Sequence, residues 1–578
     1  MRRRRSQQLL TAALLLTSTF CLTLGIVVGG FRIRPLHETA PVQRAQTVQT
    51  VQVPVEQIAA AAQEAVRQEG LDENLKYDIE AEMLLEANGG RQVLPLARVA
   101  TTAKMSALTF SGLGDSELLS LLLGQLQGKR AHVTFFVSQE DLQNYPEQIR
   151  RIADSGQHFG LLALPGEAGD ARALLSSLLR TKEALEILSG DRDIQCVRQA
   201  GGELSPLLQE AASAAGLLLL GETLQAVPES LRAENSGQRI LEQVMPEAQT
   251  LGRGSIVHVE MKGFEGRGQV LADEVRAMMD LKAPYPIRTV SQMLSEREKL
   301  YTYPLLDEQI LLQRRGAIHA GQLPKGDRYA FMRTRFLGQG WLKKPRVMLP
   351  GFSQLETMNL DDKGKLTPGK EQVFLTFDGW TDDAAMTDIL EVLSRHRVRA
   401  TFFVPGSAAL TNPNLLRAIA MEGHDIGSFT HTPMALARKI GKDNYDELTR
   451  SGLEELRREM EESYEALCRA VGDLHQNGKP VLTLYFRSPS EAIGRSSLET
   501  VLDMGYSYCI GGSFTTSELK VKSIQELALK MRLETVKGAV LVLHLGDLQE
   551  FLPRALDHYL TLIENQGDFR FVKISEVL

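Results

Sequence analysis

The pattern of hydrophobic and polar positions first changes near the amino terminus. Residues 9–31 form an apolar run without a charged residue, directly after four consecutive arginines at residues 2–5. About 20 helical residues cross the hydrocarbon core of a bilayer, and positive flanks stay cytoplasmic. We therefore expect residues 1–34 to be a single-pass signal-anchor in the cell membrane, with the bulk of the chain extracytoplasmic. A cleaved signal peptide is the alternative, although its apolar core is usually only roughly 7–15 residues long.

Farther along, short apolar runs alternate with segments of helical periodicity. The sequence predicts strands at residues 373–377, 399–404, 540–543 and 569–574, and helices at residues 384–394 and 414–421. Continuous apolar strands that alternate with helices are typical of an α/β fold with a parallel sheet covered by helices. A length of about 200 residues favours closure into a (β/α) barrel, in which function lies at the carboxyl ends of the strands.

The same pattern occurs twice in the chain. The string Thr-Phe-Phe-Val at residues 134–137 recurs at residues 401–404, and Gly160 recurs as Gly427 at the same offset. Because such matches keep their order along the chain, we infer a duplicated domain. The predicted organisation is an anchor (1–34), a stalk with a helix at 55–68 (35–103), a first barrel (104–294), a basic aromatic linker (295–370) and a second barrel (371–578).

Composition narrows the classes of function. Apolar residues make up 43% and charged residues 24% of the 578 residues, which excludes a disordered chain, a collagen-like fibre and a polytopic membrane protein. A net charge of -7 predicts no nucleic-acid partner, and four cysteines cannot form a disulfide framework. Residues 314–346 differ, since they carry nine Lys or Arg and one acidic residue. This segment either docks on an anionic wall polymer or lipid headgroups, or is a strap that packs its aromatic residues against a barrel.

Ordered short motifs in the second copy carry candidate chemistry. They are Leu-Thr-Phe-Asp at 375–378, Ala-Thr-Phe-Phe-Val at 400–404, Glu-Gly-His-Asp-Ile-Gly at 422–427, Tyr-Phe-Arg-Ser-Pro at 485–489 and Leu-His at 543–544. This order resembles the NodB-type polysaccharide deacetylase family, carbohydrate esterase family 4, and the first copy resembles it in a more degenerate form. The resemblance implies two tandem distorted (β/α) barrels and hydrolysis of the amide C–N bond in N-acetylated sugars with a divalent metal.

The chemistry of that family sets clear requirements. A metal held by one aspartate and two histidines polarises the amide carbonyl and activates water near neutral pH. A second carboxylate takes the water proton, and a histidine protonates the leaving amine. The resemblance implies that Asp378 is this base, that Arg487 orients it and that His544 is the general acid. It places Trp380 and Pro489 at the substrate.

The second copy departs from the family pattern at the metal site. Gly379 stands where the metal-binding aspartate belongs, and the two histidine positions fall on Phe429 and Pro433. We therefore expect no resident cofactor. Zinc or a similar divalent metal would bind only if His431 and Asp382 rebuild a site in new geometry.

Structural interpretations stay open for the same residues: Asp378 could cap a turn or pair with a buried Arg487, His544 could belong to the core, and Trp380 could serve packing.

Three functional hypotheses follow from the sequence. The first is a membrane-anchored pseudoenzyme that binds a cell-envelope glycan, an anionic wall polymer or a protein partner. The second is an active polysaccharide or peptidoglycan de-N-acetylase with an atypical site of Asp378, His431 and His544. The third is a non-catalytic scaffold of an envelope complex, and the sequence leaves the oligomeric state open.

Overall fold

The computed structural model describes most of the chain from residue 55 onward. The described residues are 55–69, 72, 75–166, 168–192, 194–245, 251–281, 285–303, 326–337, 349–360, 366, 371–441, 444–489, 492–517, 519–546 and 551–578. The predicted anchor and most of the basic segment 314–346 lie outside these residues. Within the described ranges, no helix combines the length and the apolar character that crossing a bilayer requires.

The described residues form two compact units. The first unit comprises those up to Leu96, together with residues 111–114 and 135–221. The second unit comprises residues 97–110, 115–134 and those described from Glu222 to Leu578. All of the second copy, together with parts of the first copy, therefore belongs to the second unit.

The first copy contributes a seven-stranded sheet. Its strands are β1 (Ala107–Ser111), β2 (Thr134–Val137), β3 (His158–Ala163), β4 (Cys196–Gln199), β5 (Leu218–Leu219), β6 (Leu224–Gln225) and β7 (Ile256–Glu260). Their order across the sheet is β5-β4-β3-β2-β1-β7-β6. In the first unit β4 pairs in parallel with β3 and β5, and in the second unit β6 pairs in parallel with β7.

The second copy is built on a nine-stranded parallel sheet. Its strands and two short hairpins are β8 (Phe336–Leu337), β9 (Gln372–Asp378), β10 (Thr401–Val404), β11 (Asp425–Ser428), β12 (Arg438–Gly441), β13 (Asn444–Asp446), β14 (His475–Gln476), β15 (Lys479–Pro480), β16 (Leu482–Phe486), β17 (Tyr508–Ile510), β18 (Phe514–Thr515), β19 (Val540–His544) and β20 (Arg570–Phe571). The order across the sheet is β18-β19-β9-β10-β11-β16-β17-β8, and β20 pairs with β9 off this path. The antiparallel hairpins β12–β13 and β14–β15 stand outside the sheet.

Helices follow most of the strands, as an α/β fold requires. They are α1 (Val55–Glu69), α2 (Leu75–Asn88), α3 (Ser116–Lys129), α4 (Gln139–Asn144), α5 (Pro146–Asp154), α6 (Ala171–Ser189), α7 (Pro206–Ala214), α8 (Gly237–Val244), α9 (Gly268–Met279), α10 (Val290–Ser295), α11 (Arg328–Arg335), α12 (Gln354–Leu360), α13 (Asp383–Arg395), α14 (Gly406–Thr411), α15 (Pro413–Met421), α16 (Arg450–Val471), α17 (Arg495–Asp503), α18 (Ile524–Leu533) and α19 (Leu552–Gln566). The predicted α/β class and the predicted helices at 55–68, 384–394 and 414–421 are confirmed.

The repeated string has a packing reason that is the same in both copies. A Cβ atom added to Gly427 would lie 2.8 Å from the Phe403 ring, and one added to Gly160 would lie 2.6 Å from the Phe136 ring. Both phenylalanines are completely buried. Each ring therefore fills the space above a glycine on the next strand. The third residue of Thr-Phe-Phe-Val can be a phenylalanine only because the later position is a glycine.

Closure of the second sheet differs from the sequence expectation. Among the described residues, no strand pairing joins β8 to β18 and completes a barrel. β8 comes from the basic linker and pairs in parallel with β17, with Phe336 opposite Cys509. The linker thus occupies the hydrogen-bonding edge of β17. The predicted strand at 569–574 is also shorter, since only Arg570–Phe571 pairs with β9 and a 3-10 turn starts at Ile574.

A buried polar cluster joins residues of the two copies within the second unit. The Nε atom of Arg253 donates to Oδ1 of Asp383 at 3.1 Å, and the side chains are 2% and 1% exposed. Tyr285 donates its hydroxyl to the same carboxylate at 2.5 Å, and Asn412 donates its amide at 2.9 Å. The Asp383 carboxylate thus accepts hydrogen bonds from both copies, and its charge is matched by a guanidinium from the first copy.

Candidate functional site

Two of the predicted site residues end neighbouring strands of the second sheet. Asp378 is the last residue of β9, His544 is the last residue of β19, and the two are register partners in this parallel pair. Arg487 follows directly after β16. Because the carboxyl ends of parallel strands meet at one edge of a sheet, the topology brings these side chains to one place. Asp378 lies beside both of the other two residues.

The guanidinium of Arg487 is completely enclosed. It forms an ion pair with the Asp378 carboxylate, and the two side chains are 2% and 3% exposed. It also donates to Thr376 Oγ1 at 2.9 Å and to the backbone carbonyls of Ile510 at 2.7 Å and Gly511 at 2.9 Å. Burial lowers the pKa of Arg487 and the neighbouring Asp378 charge opposes that shift. The guanidinium keeps its charge, so Asp378 is held by a fixed cation.

His544 is the solvent-facing member of the group. Its Nε2 atom lies 3.9 Å from Oδ2 of Asp378, which is beyond hydrogen-bond distance, and its side chain is 23% exposed. The ring packs edge-on against Phe429 with a centroid distance of 6.4 Å. The backbone N–H of His544 donates to Thr516 Oγ1 at 2.8 Å, which fixes the strand end. His544 can therefore meet a ligand from solvent, whereas the side chain of Asp378 is only 3% exposed.

The residues around Asp378 do not fit a divalent metal. Gly379 offers no ligand atom, and its φ of +87° would strain a larger residue even though a Cβ atom there would meet nothing within 4 Å. Phe429 fills a family histidine position with a buried ring. Nitrogen, sulfur and carboxylate donors are needed for zinc. In the described part of the chain, no group of three His, Cys, Asp or Glu side chains is placed to hold an ion.

Two regions of the chain match a known protein family. A family model described as polysaccharide deacetylase matches residues 98–220 and 365–509. These two regions belong to the polysaccharide deacetylase family. The second deacetylase region contains all of β9, β10, β11 and β16, and it ends inside β17.

Several individual proteins are similar over part of their length. A peptidoglycan-N-acetylglucosamine deacetylase of Listeria monocytogenes is 25% identical over 207 residues, which are 36% of this chain and 39% of that protein. One of Bacillus cereus is 34% identical over 134 residues, which are 20% of this chain and 48% of that protein. A solved family 4 pseudoenzyme of Bacillus anthracis is 22% identical, covers 36% of this chain and 66% of its own, and has a TM-score of 0.30. The chain thus spans less than half the length of the two curated relatives.

The second deacetylase region does not assemble the predicted alternative metal site. Asp382 caps α13, since its carboxylate accepts from the backbone N–H groups of Ala384 and Ala385 at 3.0 Å. His431 keeps its Nδ1 atom buried without a hydrogen-bond partner, and its backbone carbonyl accepts from Ser407 at 3.0 Å. The cap gives Asp382 a structural role. The buried Nδ1 atom of His431 lies within hydrogen-bond distance of no described carboxylate.

The two predicted substrate residues lie at the same edge of the region. Trp380 follows Asp378 by two positions, is half-buried and packs one side against the core beneath α13. Pro489 is half-buried two residues after Arg487. Both retain exposed surface, so a ligand from solvent can contact either side chain.

One residue that holds this edge in place was not predicted from the sequence. Glu459 lies in α16, is 7% exposed and accepts from the backbone N–H of Thr432 at 2.7 Å and from its hydroxyl at 2.8 Å. It thereby fixes the loop in which Thr430 has a φ of +62°. Glu459 is surrounded in sequence by Arg and Glu, a pattern that is typical of a solvated helix, and no signal distinguished it.

Proposed function

We propose that this protein is a deacetylase-related glycan-binding protein of the cell envelope whose second region holds a glycan without hydrolysing it. The observation that carries the proposal is Gly379, a residue without a ligand atom, in the metal-ligand position directly after Asp378. Among the residues that the structure describes, no group of three His, Cys, Asp or Glu side chains is placed to hold an ion. Because the chemistry of the family uses a metal to polarise the amide and to activate water, we expect this edge to bind a glycan without hydrolysing it.

A glycan ligand is supported by the surface that remains. His544 and Trp380 offer a ring nitrogen and an aromatic face, which suit the hydroxyl groups and the apolar faces of a sugar. The similar proteins from Listeria monocytogenes and Bacillus cereus are peptidoglycan-N-acetylglucosamine deacetylases by name. We therefore expect an N-acetylglucosamine polymer as the ligand.

The proposed location is the outer side of the cell membrane, with residues 9–31 as the anchor. The arginine block at residues 2–5 and the uncharged run after it support this orientation. Alkaline extraction of membranes tests it: the full chain should stay with the membrane, and a variant that lacks residues 1–34 should be released. Release of both proteins would contradict the anchor.

Tryptophan fluorescence offers a direct binding test, because the chain has only two tryptophans. Substitution of Trp341 by Phe leaves Trp380 as the only reporter. The full chain carrying this change, in mild detergent, should respond saturably to an N-acetylglucosamine oligomer. His544→Ala should weaken the response at least tenfold, and His475→Ala, a matched change at an exposed hairpin, should not. A flat titration together with no binding by pull-down would favour the scaffold hypothesis.

An active deacetylase is the competing function, and the proximity of His544 to Asp378 favours it. The decisive assay combines metal content with acetate release from the same oligomer in the presence of zinc, cobalt or manganese. We expect neither stoichiometric metal nor acetate. Acetate release that Asp378→Asn abolishes would refute the non-catalytic proposal.

A further inference from the structure

A second candidate site lies at the end of the second sheet opposite to Asp378. A groove of about 1070 Å³ is lined there by residues that precede β10 and β11 and by the start of β20. Asp378 and His544, in contrast, end their strands. The groove is therefore separate from the site of the proposed function, and its role does not depend on that proposal.

Three exposed arginines are the main feature of this groove. Arg397, Arg399 and Arg570 line it and are all exposed. In the described part of the chain, no carboxylate lies within the 4.0 Å ion-pair distance of their guanidinium groups. By comparison, Arg395, two residues before Arg397, pairs with Asp557 at 2.5 Å. The three guanidiniums are left to bind oxygen atoms that come from outside the chain.

The acidic residues of the groove are largely committed to other partners. Asp425 pairs with Lys573 at 2.7 Å, and both side chains are almost completely buried. Glu564 pairs with His396 at 3.0 Å. Glu422 and Glu576 are exposed, and Glu576 accepts from the backbone N–H of Lys573 at 3.2 Å. The lining thus holds five cationic side chains and four carboxylates, and its three exposed arginines are the groups that can pair with an anion from outside.

A buried histidine lies close to two of the cations that line the groove. His424 is enclosed behind the groove, and its Nδ1 atom accepts from the backbone N–H of Ala400 at 3.1 Å. Burial, and then the charges of Lys573 and Arg399, lower the pKa of His424 to about 3. Cations that suppress a positive charge on an imidazole attract an anion placed in the same groove.

We infer that this groove binds a linear polymer with repeated oxyanion groups, phosphate or carboxylate. A guanidinium offers a planar fork that accepts two oxygens of such a group. Arg570 comes from β20, whereas Arg397 and Arg399 come from the turn before β10, so a single small ion would leave part of the charge uncovered. Phe569 and Phe571 flank Arg570 and pack against the core, which gives the polymer backbone an apolar floor.

Binding of defined polyanions to the full chain in mild detergent tests the inference. The probes are poly(glycerol phosphate) for phosphate and polygalacturonate for carboxylate, with a neutral N-acetylglucosamine oligomer and anionic vesicles as comparisons. At least one polyanion should bind with an affinity that falls as salt rises. Arg397→Gln combined with Arg570→Gln should lower that affinity at least tenfold, and it should leave the Trp380 response to the neutral oligomer unchanged.

The matched control is Arg395→Gln, a change of an exposed arginine at the end of α13, two residues before Arg397, that already pairs with Asp557. It should change polyanion affinity less than twofold. Equal binding by wild type and double variant would overturn the inference and would move polyanion binding to another segment, such as residues 314–346. Binding to vesicles alone would overturn it as well, because the groove would then face a membrane rather than hold a polymer.

Discussion

A buried glutamate makes the stability of the second unit depend on pH. Glu274 lies on α9 and is completely buried, and neither of its carboxylate oxygens has a hydrogen-bond partner among the described residues. Burial raises the pKa of Glu274 from 4.5 to about 8. The folded chain therefore carries this group protonated at neutral pH, whereas the unfolded chain carries it charged.

The sign and the size of the effect follow from proton linkage. Between pH 4.5 and 8 the folded state holds one more proton than the unfolded state, so stability is full below pH 4.5 and declines as the pH rises. Each pH unit costs about 1.4 kcal/mol, and the loss at pH 7 is about 3 kcal/mol. Glu274→Gln keeps the shape of the protonated group and cannot ionise. The variant should match wild type near pH 4.5 and exceed it by about 3 kcal/mol at pH 7.

Differential scanning calorimetry of the full chain from pH 4.5 to pH 8 measures this difference. The gap in melting temperature between Glu274→Gln and wild type should grow with pH by several degrees. Glu242→Gln, a change on the exposed side of α8, should leave the pH profile parallel to that of wild type. A gap for Glu274→Gln that stays constant across the pH range would refute the reasoning, because it would place the charged form in the folded state.

Three further predictions concern buried contacts of the second copy. Asp383→Ala leaves Arg253 buried without its anion and should destabilise the second unit by about 3–5 kcal/mol, measured as a lower melting temperature than that of wild type. Asp378→Asn leaves the Arg487 guanidinium buried without its anion, so it should lower the melting temperature in the same way. We expect no acetate release from either wild type or this variant. Gly427→Ala forces a methyl group against the Phe403 ring and should cost about 1–3 kcal/mol, and an unchanged melting temperature would show that the ring yields.

The sequence predicts the repeated architecture well because burial fixes it. Residues 373–377 and 540–543 read as continuous apolar runs, and they are adjacent central strands of the second sheet. Periodicity also placed α13 to within one residue at each end. Such elements bury a large face, so the core determines the order of apolar and polar residues along them. That order can therefore be recognised without knowledge of distant partners.

Elements that depend on distant partners could not be predicted in this way. β8 is a two-residue strand, and its pairing with β17 is formed by chain segments more than 170 residues apart. Asp382 and Asp383 are neighbours in sequence, yet one caps a helix and the other meets the Arg253 guanidinium. The two roles differ only in the direction in which each side chain points. No local pattern in a single sequence indicates that direction.

The buried pair of Asp378 and Arg487 has a structural role that needs no catalysis. A buried guanidinium stripped of its carboxylate is an uncompensated charge, and its cost is about 3–5 kcal/mol. Residues 379, 429 and 433 are neutral, so the absence of a ligand side chain at these positions leaves no buried charge and carries no such cost. A double change of both partners to apolar residues, such as Asp378→Leu with Arg487→Met, should destabilise the second unit by less than the sum of the two single changes, because neither charge is then left buried alone. Additive effects of the two changes on the melting temperature would contradict this explanation.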